Sequence, residues 1–112
     1  MRRLNKNYNR GRAFEYRVKK YLEDRGWTVF RTAGSHSKAD LVCIKNSVVE
    51  PYYNQAHLVQ CKYSKSGCFY ISKKELRELQ TLIDELCQHV YVAFNDENGH
   101  IHLRYAGDLD EE

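Results

Sequence analysis

The chain of 112 residues has no apolar run approaching the length of a membrane span. Its N-terminus is polar and basic, which is not the pattern of a signal peptide. Both absences point to a soluble, cytoplasmic protein with no membrane partner. No two of its cysteines form a C-x-x-C pair, and no His/Cys cluster has zinc-site spacing. Cys43, Cys61, Cys68 and Cys87 therefore read as small hydrophobes of a reducing compartment. There is no internal repeat and no low-complexity segment. The length supports one compact domain, and a hydrophobic content of 42% is enough to give it a core. The histidines, at 36, 57, 89, 100 and 102, are scattered, and none receives a catalytic role.

What is present is unevenly distributed charge. Arg2, Arg3, Lys6, Arg10, Arg12, Arg17, Lys19 and Lys20 crowd the N-terminal end against the single acid Glu15. Asp108, Asp110, Glu111 and Glu112 close the chain. A basic end of this kind suits a polyanion. We divide the chain into a flexible basic arm, 1–8, a folded domain, 9–107, and an acidic tail, 108–112.

From Asn9 to Asp24 the pattern is helical, with Phe14, Val18, Tyr21 and Leu22 on one stripe and Gly26 as the stop. Glu15 lies on the edge of that stripe, able to face the sheet without being fully buried. Trp27 to Arg31 reads as a strand, 33–38 as a small polar loop, Asp40 to Lys45 as a second strand and His57 to Tyr63 as a third. Ser72-Lys73-Lys74-Glu75 is a capping box opening a helix that runs to about Cys87. Strands from His89 to Phe94 and His100 to Tyr105 are joined through Asn98-Gly99, a hairpin signal. A strand–helix–strand crossover over 57–94 makes the third and fourth strands parallel. The expected fold is a single α/β domain, a mixed five-stranded sheet flanked by helices in the order α-β-β-β-α-β-β.

Gln60 and Lys62 lie two apart in a strand and so share a face of the sheet. The midpoint between Asp40 and Lys62 is Pro51, so a hairpin turning there sets Asp40 roughly opposite the Gln60/Lys62 pair. An acid at a strand start followed by a polar-x-Lys strand suits a nuclease that holds a divalent cation against a phosphodiester. Hard cations want oxygen ligands, and a lysine beside them can meet charge on phosphate or attacking water.

These segments together resemble the archaeal-type Holliday junction resolvases, a branch of the PD-(D/E)xK nuclease superfamily. The family's Gly-x-x-x-Glu helix is matched by Gly11 and Glu15, and its serine-containing loop by Thr32-Ala33-Gly34-Ser35. Its Pro-Asp position is matched by Ala39-Asp40, its Glu-x-Lys strand by Gln60-Cys61-Lys62, and its Tyr-(Ile/Val) pair by Tyr70-Ile71. The correspondence covers roughly residues 11–94 and rests on order and spacing rather than on any one motif. Two departures stand out: Ala39 replaces the usual proline, and Gln60 replaces the usual glutamate.

The resemblance implies a restriction-endonuclease-like fold with a restricted set of roles. Glu15, Asp40, the Gln60 amide oxygen and the Cys61 backbone carbonyl would hold Mg²⁺, with Mn²⁺ able to substitute. Lys62 would orient or deprotonate the attacking water, and Ser35 would contact phosphate or support the site. No small-molecule cofactor is implied. A four-way junction has approximate two-fold symmetry, and one site per chain calls for a homodimer. Arg2, Arg3, Lys6, Arg10, Arg12, Lys38, Lys65 and Lys73 would line the phosphate-binding surface. The alternatives are a nuclease of the same fold acting on other branched or linear DNA, and a DNA-binding module without catalysis, to which Gln60 lends weight.

Overall fold

The computed structural model describes residues 6–32, 39–46, 54–86 and 89–110. Helix α1 (Lys6–Glu23) leads into strands β1 (Thr28–Arg31), β2 (Leu41–Asn46) and β3 (Asn54–Lys62). Helix α2 (Lys73–Leu86) then crosses over to β4 (His89–Asn95), β5 (Ile101–Tyr105) and a short 3-10 turn, Ala106–Asp108. The five strands lie in sequence order, antiparallel except for the parallel β3–β4 pair. This is the mixed sheet and element order expected.

Alternation along the strands divides the core in two. Phe14, Val18 and Leu22 of α1 pack on Val29, Leu41, Cys43, Val59 and Ala93. Leu79 of α2 packs with Val90, Val92 and Ala106, with Leu58 and Ile83 alongside. Val59 and Leu58 are sequence neighbours in different clusters, so the helices cover opposite faces. Burial pushes the Cys43 thiol up to about 11 and raises that of Cys61, as suits core hydrophobes rather than nucleophiles. Cys68 is exposed, and Cys87 lies outside the described residues.

Strand ends shift by one residue from the sequence reading, β2 running Leu41–Asn46 rather than Asp40 to Lys45, and three boundaries differ by more. Helix α1 starts at Lys6, so residues 6–8, assigned to the arm, form its first turn, while 1–5 lie outside the described residues. Strand β3 begins at Asn54, because polar Asn54 and Gln55 continue the ladder opposite Asn46 and Lys45. Pro51, the expected turn centre, lies outside the described residues. Part of the acidic tail belongs to the domain: Asp108 ends the 3-10 turn, and Leu109 packs against the α2-side core. The Gln80 amide donates to the carbonyls of Ala106 and Leu109 at 3.1 and 3.2 Å, tying this segment to α2.

Candidate active site

Asp40 sits where three strands are stitched together. Its N–H donates to the Val59 carbonyl at 2.9 Å, and its own carbonyl accepts from the Thr32 N–H at 3.0 Å. The Thr32 hydroxyl reaches the carbonyl of the preceding Ala39 at 2.8 Å. Carrying the Leu41↔Val59 register one residue further sets Asp40 opposite Gln60. The side chain then extends the ladder, because Oδ2 accepts the Cys61 N–H at 2.8 Å. Burial raises the Asp40 carboxyl above its ordinary value. The Cys61 N–H opposes that rise, the Glu15 charge adds to it, Lys62 opposes it, and a hydrogen-bonding contact with Glu15 adds further. Two carboxyls are thus packed together in a partly desolvated place.

Glu15 arrives from α1, on the edge of the buried stripe, with its side chain 22% exposed. It pairs with Arg31 at the end of β1, at 2.9 Å, rather than with a lysine of its own helix. Lys19 is engaged with Glu23 instead. The Glu15 hydrogen bond raises the Arg31 guanidinium further above its already high value. Arg31 also donates to the Tyr16 hydroxyl at 3.1 Å and lies 4.6 Å from the Tyr16 ring centre. Arg12 stands on that ring too, and hydrogen bonding from Arg12, with the charge of Arg31, lowers the Tyr16 phenol. Nε of Arg31 is buried without a hydrogen-bond partner among the described residues.

Gln60 and Lys62 face the α2 side of the sheet, as alternation from Leu58 requires. The Lys62 ammonium is in direct contact with a carboxylate oxygen of Glu75 in the first turn of α2. Ser72 caps that helix: the Glu75 N–H donates to the Ser72 hydroxyl at 3.1 Å, and the hydroxyl reaches back to the Glu75 carboxylate at 3.4 Å. The strand exit beyond Lys62 is clamped by buried Asn95, whose amide accepts from the Ser64 N–H at 2.9 Å and donates to the Ser64 carbonyl at 2.6 Å.

The structure therefore brings Glu15, Asp40 and the Gln60/Lys62 strand to one end of the sheet, with the Cys61 backbone against Asp40. Arg10 and Arg12 lie on the exposed side of α1, Lys65 in the loop after β3, and Lys73 at the start of α2, all exposed. Arg2, Arg3, Ser35 and Lys38 lie outside the described residues, as does the side chain of Lys6. Sequence reasoning missed Arg31 and Glu75 as members of the site. Neither had a sequence signal for that place: the pairing of Arg31 with Leu41, next to Asp40, shows only in the sheet, and Glu75 already had a role as the capping-box acid.

A family model described as archaeal Holliday junction resolvase (hjc) matches residues 6–112. The chain belongs to the archaeal Holliday junction resolvase family. A relative named crossover junction endodeoxyribonuclease Hjc, from Methanocaldococcus jannaschii, is 32% identical over 92 residues, covering 80% of this chain. The match spans 63% of that relative's length. A solved structure of Archaeoglobus fulgidus Hjc, a Holliday junction resolvase from an archaeal hyperthermophile, superposes with a TM-score of 0.71 at 20% identity. That superposition covers 92% of this chain and 78% of the other, and it establishes the shared fold.

For this Hjc-family chain the candidate oxygen donors are the Glu15 and Asp40 carboxylates, with Gln60 on the neighbouring strand opposite Asp40. Among the described residues, no group of three or more His, Cys, Asp or Glu is placed to hold a metal ion. The donors present nonetheless fit a divalent cation. Burial and the Glu15 charge both hold the Asp40 carboxyl back from ionising, and the charge of a bound cation would relieve both costs. Among the described residues, no helix is long and apolar enough to cross a membrane.

Proposed function

We propose that the chain is a metal-dependent, structure-selective DNA endonuclease that resolves four-way junctions by paired incisions as a homodimer. The observation that carries this reading is the carboxyl pair of Glu15 and Asp40, assembled from a helix and a strand start beside Lys62. Glu15, Asp40, the Gln60 amide oxygen and the Cys61 carbonyl would hold Mg²⁺ or Mn²⁺. When bound, such a cation supplies charge that polarises the scissile phosphate and acidifies water.

The chain's own residues do the rest. Lys62 orients the attacking water and stabilises negative charge building on the phosphate. Arg31 holds the Glu15 carboxylate in place through its 2.9 Å pair. Ser35, five positions before Asp40 in the sequence, contacts phosphate or supports the site. Arg10, Arg12, Lys65 and Lys73, with Arg2, Arg3, Lys6 and Lys38, meet backbone phosphates and give affinity for branch shape rather than base sequence. One site per chain makes one cut, so a C2 dimer supplies the second.

The test is cleavage of a labelled four-way junction, a flap and a linear duplex with Mg²⁺, Mn²⁺ or EDTA. Paired symmetric nicks in the junction, abolished by EDTA, are expected. Preferential cutting of flap or duplex would move the assignment to another substrate. Junction binding without cleavage in either metal would favour a DNA-binding module, the reading to which the neutral Gln60 lends weight.

A further inference from the structure

Lys62 does not stand alone at the head of its strand. Its ammonium rests on the Glu75 carboxylate, and both groups are only partly exposed, at 22% and 42%. Glu75 stands in the first turn of α2, where its backbone N–H donates to the Ser72 hydroxyl. The ammonium, on a stem with four rotatable bonds, is therefore steered by an acid on a separate rigid element. The charges point the same way. Glu15 and Asp40 are matched one for one by Arg31 and Lys62, and Gln60 contributes nothing. Glu75 adds a third acid to this cluster, in direct contact with Lys62. It is not placed with Glu15 and Asp40 to share one ion, so it acts through Lys62.

We propose that Glu75 is a positioning residue of the cleavage reaction. It pins the Lys62 ammonium on the Gln60 side of the site and supplies through that pair the negative charge that Gln60 lacks. This role rests on the resolvase reading above. It deepens that reading by extending the site from the sheet to the first turn of α2.

Glu75→Gln is the informative variant. It keeps the shape and can still close the capping box, since Gln serves there as well as Glu. Only the charge on Lys62 is lost. Ser72→Ala is the converse, weakening the cap while leaving the charge. On a four-way junction with Mg²⁺, Glu75→Gln should lose at least tenfold in kcat, with KM and junction Kd within twofold of wild type. Glu75→Asp should recover part of that loss. Ser72→Ala should lower the melting midpoint but keep kcat within about twofold. Acetylation of surface amines, read by mass spectrometry, should label Lys62 faster in Glu75→Gln than in wild type.

Wild-type kcat in Glu75→Gln, unchanged Lys62 labelling, or a Ser72→Ala loss equal to that of Glu75→Gln would each overturn the proposal. Wild-type protein that cuts no junction would defeat the resolvase reading, and this role with it. Wild-type cleavage matched by Glu75→Gln would defeat this role alone.

Discussion

Asp40 carries the tension of the site. Its carboxyl takes up a proton more readily in the folded protein than its ordinary value of 3.8 allows, chiefly because it is buried and secondly because Glu15 is near. The sign follows from linkage. A carboxyl raised by folding favours the folded state below its ordinary pKa, and that contribution is lost as pH rises through the folded value. Ionised Asp40 therefore works against stability at neutral pH, as a site awaiting a cation should. Asp40→Asn keeps an oxygen for the Cys61 N–H and removes the charge. In EDTA it should melt above wild type at pH 8, and the two should converge below about pH 4. Mg²⁺ should raise the wild-type midpoint and leave that of Asp40→Asn unmoved. Thermal unfolding across pH and metal checks all of this.

At the same scale, the placement of Glu15, Asp40 and Lys62 at one end of the sheet was legible in the sequence, because they stand on a helix edge, just before a strand and on a strand face. Arg31 and Glu75 were not. Their roles come from pairing across elements separated by 16 and 13 positions, which no local pattern encodes. Arg31 ends an ordinary strand, and Glu75 completes an ordinary cap, so each already had a sufficient local reason to be there.

The β2–β3 hairpin is the element that makes the site. Its expected midpoint, Pro51, lies one position from the observed centre of the Leu41↔Val59 pairing, and that was close enough to bring Asp40 to the Gln60 strand. Strand lengths were harder to read. Asn54 and Gln55 have no apolar signature, and only ladder bonding to β2 makes them strand. The start of α1 was missed for a similar reason: Lys6 to Tyr8 carry no hydrophobic period of their own, yet continue the helix. The closing 3-10 turn depends on Gln80 of α2, a tertiary contact.

The exit of β3 depends on Asn95, 4% exposed, which closes both backbone groups of Ser64. Asn95→Ala leaves the partly buried Ser64 N–H and carbonyl unpaired, at a cost of about 1 kcal/mol. Because Ser64 lies two residues beyond Lys62, cleavage should fall in the folded protein as well. Denaturant unfolding beside a kcat measurement on the same sample would separate the two losses. Unchanged stability would show that the clamp is replaceable by water.

At the scale of the whole molecule, the basic end and the site belong together. Helix α1 carries Glu15 on its sheet-facing edge and Arg10 and Arg12 on its exposed side, so under the proposed function one element would serve both the site and the phosphates. Counterion release sets the expected salt response. Log K should fall with log salt by about 0.9 for each phosphate neutralised. Arg10→Ala with Arg12→Ala removes about four contacts from a dimer and should flatten the slope by about 3.6. A slope unchanged by that pair would place the DNA elsewhere on the protein.

The central claim is that Glu15, Asp40 and the Gln60 amide form one cation site that drives cleavage. It is tested most directly by titrating Mn²⁺ against junction cleavage for wild type, Asp40→Asn and Gln60→Glu. The account predicts no cleavage by Asp40→Asn at any concentration. It predicts that Gln60→Glu, by adding a carboxylate of the same shape, reaches half-maximal rate at a lower metal concentration than wild type. Superimposable curves for wild type and Gln60→Glu, or full activity in Asp40→Asn, would contradict it.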